Sequence, residues 1–202
     1  MMLKTVTSLA DIPVILASGS PRRINMLREY GLDPMIIRPE CGEELHMPLS
    51  PAQTVMSLAL RKALSVERSL PSDLPYDDWL LISCDTVVSF EGRILGKPSG
   101  EHEAFSMLSA MNGKMNTVFS GVCLIRKGRP PELFYDRSDV YFRPYSTEDI
   151  IAYIATGEPM DKAGAYAVQE GFAPYCEKVS GSMNNVIGLP LEKILRRVAQ
   201  GI

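Results

Sequence analysis

Segments typical of β-strands alternate with segments of helical periodicity along almost the whole chain. Two long strand-like segments, 115–126 and 133–143, are the exception, because they flank the short turn KGRPP. Strict alternation would predict a purely parallel sheet, whereas neighbouring strand segments with a short connection favour antiparallel pairing. The sequence therefore predicts an α/β fold with a mixed sheet.

The other elements follow from local signals. We predict further strands at 14–17, 35–37, 79–84, 87–90 and 93–95. We predict helices at 21–30, 51–69, 101–111, 147–157 and 191–199. The strand at 79–84 is predicted to end at Asp85-Thr86, and the next two strands to form a hairpin across Glu91-Gly92. Residues 157–175 are predicted to be loop and short strand.

The composition suits one globular domain over residues 1–202. The chain is 46% hydrophobic, is long enough to bury a substantial core, and carries a formal net charge of −3. A broad nucleic-acid-binding surface would show clustered Lys and Arg and a high pI, so we expect no nucleic-acid partner. Any site for a polyanion must therefore be local.

The cysteines and histidines are scattered along the chain. No two of them have zinc-ligand spacing, and the four cysteines have no CxxC pair, which argues against a zinc site and a disulfide framework. The N-terminal segment MMLKTVTSLADIP lacks the apolar core of a signal peptide. No apolar run approaches the roughly 18 residues of a membrane span. We therefore expect a cytoplasmic protein with no membrane partner.

The segment ILASGSPRRINML, residues 15–27, joins the first predicted strand to the first helix. Gly19 lets the backbone approach a ligand closely, and the N–H groups at a helix start favour anions. Arg22 and Arg23 add planar guanidinium groups suited to phosphate oxygens. The same residues fit an ordinary strand–helix joint with two solvated arginines equally well.

Lys62 is the unusual residue of the helix at 51–69. It falls near the centre of the apolar face, seven residues after Val55. An unpaired buried ammonium group is costly, so Lys62 must extend to solvent, pair with a carboxylate, or serve a site.

Three carboxylates and a second lysine lie at positions in the predicted elements where they could bind a phosphate ligand. Asp85 ends an apolar predicted strand, and ligands of open α/β sheets often lie just beyond strand ends. Lys97 follows the predicted hairpin, and Glu43 and Glu44 follow the second strand. Each also has a plain structural interpretation, since Asp85 can cap a turn and the others can be solvated.

Together these residues could form a triphosphate site. The cations would neutralise phosphate charge, while the carboxylates would hold Mg²⁺ or Mn²⁺ and activate a water. Gln169, in AYAVQEG, offers an amide donor and acceptor that suit the O4/N3–H edge of uracil or thymine. Taken alone, Gln169 is interpreted more simply as a surface glutamine.

Five segments resemble the successive signature blocks of the Maf nucleoside triphosphate pyrophosphatases. They are LASGSPRR (16–23), CDTVV (84–88), LGKP (95–98), TGEPMDKAGAY (156–166) and NVIGLPL (185–191). The resemblance implies a three-layer α/β fold, with a mixed twisted sheet and a cleft between two lobes, like that of inosine-triphosphate pyrophosphatases. It also implies a homodimer that cleaves a nucleoside triphosphate to the monophosphate and pyrophosphate with a divalent metal.

The resemblance also implies a role for each matching residue. Asp85 corresponds to the proton-accepting aspartate, which would orient or deprotonate a water for attack between the α and β phosphates. Lys62 and Lys97 correspond to the phosphate-contacting lysines, and Glu43 with Asp85 to the metal ligands. The matching substrate-binding positions are Ser18, Gly19, Arg22, Arg23, Thr86 and Gln169.

Three of these positions resemble the dTTP/UTP branch of the family. Arg22, Thr86 and Gln169 match that branch, whereas the 7-methyl-GTP branch has tryptophan, glutamine and glutamate there. A 7-methyl-GTP pyrophosphatase is the alternative within this chemistry. A non-catalytic, nucleotide-sensing regulator of septation is the alternative from another class.

Three departures from the family pattern affect details of the site. Gly42-Glu43-Glu44 replaces a loop that often ends Asp-Glu, so the metal-associated residue is Glu43 or Glu44. Glu170 replaces a usual glycine and adds negative charge beside Gln169, and Met183 stands where an aromatic residue is common. The sequence leaves open the preferred nucleotide, the metal and the physiological role.

Overall fold

The computed structural model describes residues 8–45, 47–71 and 73–201. The strands in these ranges are β1 Val14–Leu16, β2 Met35–Ile36, β3 Leu80–Phe90, β4 Arg93–Leu95, β5 Met115–Arg126, β6 Glu132–Phe142 and β7 Cys176–Ser180. The α-helices are α1 Pro21–Glu29, α2 Pro51–Ser69, α3 Glu101–Met111, α4 Thr147–Ala155, α5 Met183–Ile187 and α6 Leu191–Ala199. Among them, none is long and apolar enough to cross a membrane.

The strands form one mixed sheet, which confirms the predicted α/β class. The strand order is β2-β1-β3-β5-β6-β7, and β4 pairs with β3. β1 is parallel to both of its neighbours, with Ile15 opposite Met35 on one side and Leu81 on the other. β4 is antiparallel to β3, and β7 is antiparallel to β6. Every residue of β1 is buried, as expected of a strand with parallel neighbours on both sides.

The hairpin between β3 and β4 turns at Glu91-Gly92, as the sequence predicts. Both residues have positive φ, 48° for Glu91 and 79° for Gly92, which is the backbone of a type I′ turn. Phe90 and Arg93 are paired on either side of the turn. The turn therefore fixes the register of the two strands.

β3 is longer than the sequence analysis predicts. The predicted strand ends at Asp85-Thr86, but the observed strand continues through Asp85 to Phe90. The residues after Asp85 are TVVSF, which are rich in β-branched and aromatic side chains that suit a pleated strand. Asp85 therefore lies inside a strand, and the prediction that the strand ends at this residue is wrong.

The region after α4 also differs from the prediction. Residues 157–175 contain no strand; short 3₁₀ turns occur instead at Glu158–Asp161, Ala163–Ala165 and Ala173–Tyr175. β7 and α5 have no predicted counterpart. The sequence of β7, CEKVS, is short and polar, so its strand conformation depends on pairing with β6.

The chain divides into two compact units. The first contains residues up to Asp85, Ser120–Asp136 and residues from Gly188 onward, and the second contains Thr86–Phe119 and Arg137–Ile187. The division points fall inside β3, β5 and β6 and just after α5. Neither unit is therefore a continuous stretch of chain.

In the first unit, α2 packs closely on the sheet. Ala59 and Ala63 are fully buried in a cluster with Leu81 and Cys123. A Cβ atom added to Gly121 of β5 would lie 2.4 Å from the carbonyl carbon of Val55. The backbone of α2 thus rests on the strand at Val55, about two helical turns before Lys62.

In the second unit, an aromatic cluster surrounds Phe172, which has no exposed surface. Its ring centroid lies 4.9 Å from that of Tyr153 and 5.0 Å from those of Tyr145 and Tyr175. The Phe142 ring lies 5.5 Å away in an edge-to-face arrangement. This cluster anchors the segment that follows Gln169 in the core of its unit.

Candidate functional site

Ser18 organises the loop between β1 and α1. It is buried, and its Oγ accepts hydrogen bonds from the Ser20 N–H at 3.2 Å and from Arg23 Nη1 at 3.4 Å. Ser20 occupies the N-cap position of α1, but its own side chain makes no capping hydrogen bond. Pro21 at the first helical position has no N–H to satisfy, which suits this helix start.

Arg23 is held by groups from distant parts of the sequence within the first unit. Its Nε donates to the Gly188 carbonyl oxygen at 2.8 Å, and the Cys84 thiol donates to the same oxygen at 3.2 Å. The half-buried guanidinium of Arg23 therefore has a fixed position next to Ser18. Arg22 precedes it on the first turn of α1 and is also half-buried.

The sequence analysis missed Arg38, which lies against Gly19. A Cβ added to Gly19 would lie 3.0 Å from Arg38 Nε and 3.2 Å from Arg38 Cδ. Gly19 does not adopt the left-handed conformation, so the absence of a side chain at this position makes room for Arg38. The only sequence signal was an arginine two residues after the short strand β2, and spacing alone does not show that it meets Gly19.

Lys62, Asp85 and Glu43 converge within the first unit. Lys62 Nζ lies 2.6 Å from Asp85 Oδ1 and 2.6 Å from Glu43 Oε1. The Lys62 and Asp85 side chains are 12% and 10% exposed, whereas that of Glu43 is 65% exposed. Of the three possibilities that the sequence left for Lys62, the structure shows pairing with carboxylates.

The electrostatics of this cluster keep Lys62 charged. Burial by itself lowers the pKa of Lys62, but the charges and hydrogen bonds of Asp85 and Glu43 outweigh it, so that the pKa is raised above 10.5. The ammonium group is therefore protonated at neutral pH. Asp85 uses Oδ1 for this contact, and among the described residues Oδ2 has no hydrogen-bond partner.

The loop that carries Glu43 is fastened to α2. Arg61 Nη1 donates to the carbonyl oxygens of Gly42 and Glu44, both at 2.8 Å. Ser65 Oγ donates to the carbonyl oxygen of Glu40 at 3.2 Å. These bonds direct the Glu43 carboxylate to Lys62, so Glu43, and not Glu44, is the glutamate that joins Asp85.

The donor set of the cluster fits a divalent cation. Two carboxylates already converge on one positive group, and Mg²⁺ is commonly held by one or two carboxylates with the remaining ligands from water and phosphate. Within the described residues, no group of three or more His, Cys, Asp or Glu side chains could hold a metal alone. Glu43 and Asp85 are therefore suited to a metal that arrives with phosphate.

The other predicted site residues belong to the second unit. Thr86 is half-buried in β3, and Lys97 is exposed after Gly96. Gln169 is exposed in a turn at residues 168–170. The structure thus joins Ser18 with Arg23, and Lys62 with Asp85 and Glu43, while the roles of Thr86, Lys97 and Gln169 stay predictions.

Comparisons with known proteins agree with the signature segments. The model of the family described as "Maf-like protein" matches residues 13–200. A dTTP/UTP pyrophosphatase of Caldicellulosiruptor saccharolyticus is 46% identical over 182 residues, which is 90% of each chain. A dTTP/UTP pyrophosphatase of Bacillus thuringiensis subsp. konkukian is 40% identical over 187 residues, 93% of this chain and 94% of its own.

A solved structure is similar in fold. The Ham1 protein of Staphylococcus aureus matches 93% of this chain and 98% of its own, with a TM-score of 0.50 and 13% sequence identity. At that identity the likeness concerns the fold alone.

Proposed function

Because this chain belongs to the Maf family, as its five signature segments predict, we propose that it hydrolyses dTTP and UTP to the monophosphate and pyrophosphate. The observation that carries the proposal is the Lys62–Asp85–Glu43 cluster, with both carboxylates 2.6 Å from one ammonium group whose side chain is only 12% exposed. Hydrolysis of a phosphoanhydride needs an oriented water and neutralised phosphate charge, and this cluster has groups for both.

In the proposed mechanism, Asp85 prepares the attacking water. The carboxylate accepts a hydrogen bond from Lys62 through Oδ1, which fixes its orientation, and Oδ2 accepts one from the water. The water oxygen bonds to the α-phosphorus as the bond from that phosphorus to the oxygen bridging the α and β phosphates breaks. The proton passes to Asp85, and pyrophosphate leaves with the electrons of the broken bond.

The cations stabilise the charge that develops on the phosphates. Lys62 is protonated at neutral pH, because burial lowers its pKa but the contacts with Asp85 and Glu43 more than offset that effect. Arg23 is preorganised by Ser18 and Gly188, so little rearrangement is needed to bind an anion. Arg22 and Lys97 are proposed to act on the same phosphates.

We also propose that the enzyme uses Mg²⁺ or Mn²⁺, held by Glu43 and Asp85. When bound, such a cation neutralises phosphate charge and makes a coordinated water more acidic. Lys62 would keep the two carboxylates in place, since its ammonium group contacts both.

Base selection is proposed to rest on Gln169, Thr86 and Arg22. An amide that pairs with the O4/N3–H edge can discriminate strongly, because the wrong base leaves a polar group unsatisfied. We further propose a cytoplasmic homodimer without a nucleic-acid partner.

A product assay tests this function. Purified protein is incubated with dTTP, UTP, 7-methyl-GTP or dATP, with and without Mg²⁺ or Mn²⁺, and pyrophosphate and monophosphate are quantified. We expect equal amounts of both products from dTTP and UTP in the presence of metal, and turnover of 7-methyl-GTP at least about tenfold slower.

Two results would contradict the proposal. Preferred turnover of 7-methyl-GTP would assign the chain to the other branch of the family. Binding of dTTP with metal but without pyrophosphate release would favour the non-catalytic regulator.

A further inference from the structure

The turn that carries Gln169 is tied to the preceding 3₁₀ turn by two separate contacts. The Gly171 N–H donates to Glu158 Oε2 at 3.0 Å. Lys162 Nζ lies 3.0 Å from Glu170 Oε2. Gln169 is thus followed directly by two residues that are bound to side chains of the segment 158–162.

Lys162 is a buried cation whose partners account for all of its donors. Its side chain is 8% exposed, and Nζ contacts Asp161 Oδ1 at 2.7 Å, the Glu158 carbonyl oxygen at 3.2 Å, and Glu170. A buried ammonium group is costly unless each N–H is paired. The Glu170 carboxylate is therefore the third hydrogen-bond partner of Lys162 Nζ, and the positive charge of Lys162 compensates the negative charge of Glu170.

Gly171 permits the close approach of the two segments. A Cβ at this position would lie 3.0 Å from Glu158 Oε2 and 3.2 Å from Cδ2 of the Tyr153 ring. The next residue, Phe172, is fully buried in the aromatic cluster, and the Ala173 N–H donates to the Glu170 carbonyl oxygen at 2.8 Å. The base of the turn is held firmly, while Gln169 itself is exposed.

We propose that Lys162 and Glu170, together with Glu158, form a positioning brace that sets the direction of Gln169 and thereby the base selectivity of this enzyme. This inference rests on the proposed function, in which Gln169 pairs with the pyrimidine edge. Lys162 and Glu170 are positioning residues, which act through Gln169 and not on the phosphates. Loss of the brace raises KM for dTTP and UTP and weakens discrimination against purine nucleotides, while kcat changes little.

The test uses Glu170→Gln and Glu170→Ala in the full-length protein. Asp161→Asn is the matched control, because Asp161 also contacts Lys162 Nζ but is 68% exposed and is not on the turn. Hydrogen exchange of the Gly171 and Ala173 amides in the nucleotide-free protein measures the brace directly. KM, kcat and the dTTP-to-dATP ratio of kcat/KM measure its effect.

We expect both Glu170 variants to speed exchange at these two amides and to raise KM for dTTP roughly two- to fivefold, as for loss of one partly exposed ion pair. The selectivity ratio falls by a similar factor, and Asp161→Asn changes neither KM nor the ratio. Glu170→Gln, which keeps a hydrogen-bond acceptor, shows the smaller effect.

The possible failures are distinguishable. Unchanged exchange in the Glu170 variants overturns the brace itself. Faster exchange with wild-type KM and selectivity overturns its role in base recognition. A wild-type protein that releases no pyrophosphate from dTTP or UTP overturns the proposed function, whereas the exchange experiment still tests the brace.

Discussion

A lysine at the centre of an apolar helix face is costly to bury unless its ammonium group is paired, and Lys62 meets that condition twice. Asp85 and Glu43 both lie 2.6 Å from its Nζ. The sequence identified Lys62 as the unusual residue of its helix but left its partner open. The partners lie 19 and 23 positions away in the sequence, so helical periodicity could not reveal them.

We predict that Asp85→Asn lowers kcat for dTTP hydrolysis by about two to four orders of magnitude, because an amide cannot accept the proton of the attacking water. Lys62 keeps Glu43 as a partner, so the fold is retained. Pyrophosphate release is compared with the melting temperature and circular dichroism of the same samples. Asp136→Asn, at another lysine-paired aspartate of the first unit, is the control. Wild-type turnover of Asp85→Asn would refute the role given to this residue.

Glu43 and Glu44 are adjacent glutamates that the structure distinguishes. Of the two glutamates, it is Glu43 whose carboxylate contacts Lys62, while the backbone carbonyl oxygen of Glu44 accepts a hydrogen bond from Arg61. We expect Glu43→Gln to raise the Mg²⁺ concentration for half-maximal activity roughly tenfold, since one ligand charge is lost, and Glu44→Gln to leave it unchanged. A metal titration of pyrophosphate release measures both, and the opposite pattern would move the metal ligand to Glu44.

At the scale of elements, local signals predicted most helices and strands. α1 and α2 begin at Pro21 and Pro51, each directly after a serine, and α4 begins within the segment STED at 146–149, so local capping signals agree with the predicted helix starts. α2 and α4 each begin with a complete capping box, formed by Ser50 with Gln53 and by Ser146 with Asp149. β7 was missed because its sequence has little strand propensity of its own and depends on pairing with β6.

The contact between α2 and β5 leads to a prediction about stability. Gly121→Ala would place a Cβ 2.4 Å from the Val55 carbonyl carbon, so the helix must move away from the sheet. We expect the free energy of unfolding to fall by about 1–3 kcal/mol, as for other overpacked cores. Gly42→Ala is the control, because nothing lies within 4 Å of the added Cβ. Chemical denaturation measures both variants, and equal stability would show that α2 does not rest on Gly121.

At the scale of the whole molecule, the four cysteines are distributed between protected and accessible positions. Cys84 and Cys123 are fully buried, whereas Cys41 and Cys176 are partly exposed, and none forms a disulfide. Burial raises the pKa of the Cys123 thiol to about 12, with a further contribution from Glu67, so this thiol stays protonated at neutral pH.

We therefore predict that a thiol reagent modifies Cys41 and Cys176 in the native protein and all four cysteines only in denaturant, and that Cys176 is the slower of the two because burial raises its pKa. A spectrophotometric titration with 5,5′-dithiobis(2-nitrobenzoic acid) at neutral pH counts them, and a reductant should leave the melting temperature unchanged. Rapid reaction of four thiols in the native state, or a melting temperature that falls with reductant, would contradict this arrangement.

The sequence by itself determined the class of fold, the main helices and strands, and the family, because periodicity, capping residues and signature segments are local properties of a chain. Only the tertiary structure decided that Asp85 lies within a strand, that Glu43 and not Glu44 meets Lys62, and that Glu170 is paired with Lys162. These features depend on strand pairing and on side chains that packing brings together from distant positions. Sequence spacing carries no measure of those distances, so it singled out Lys62, Asp85 and Glu43 as candidates but did not show that they are in contact.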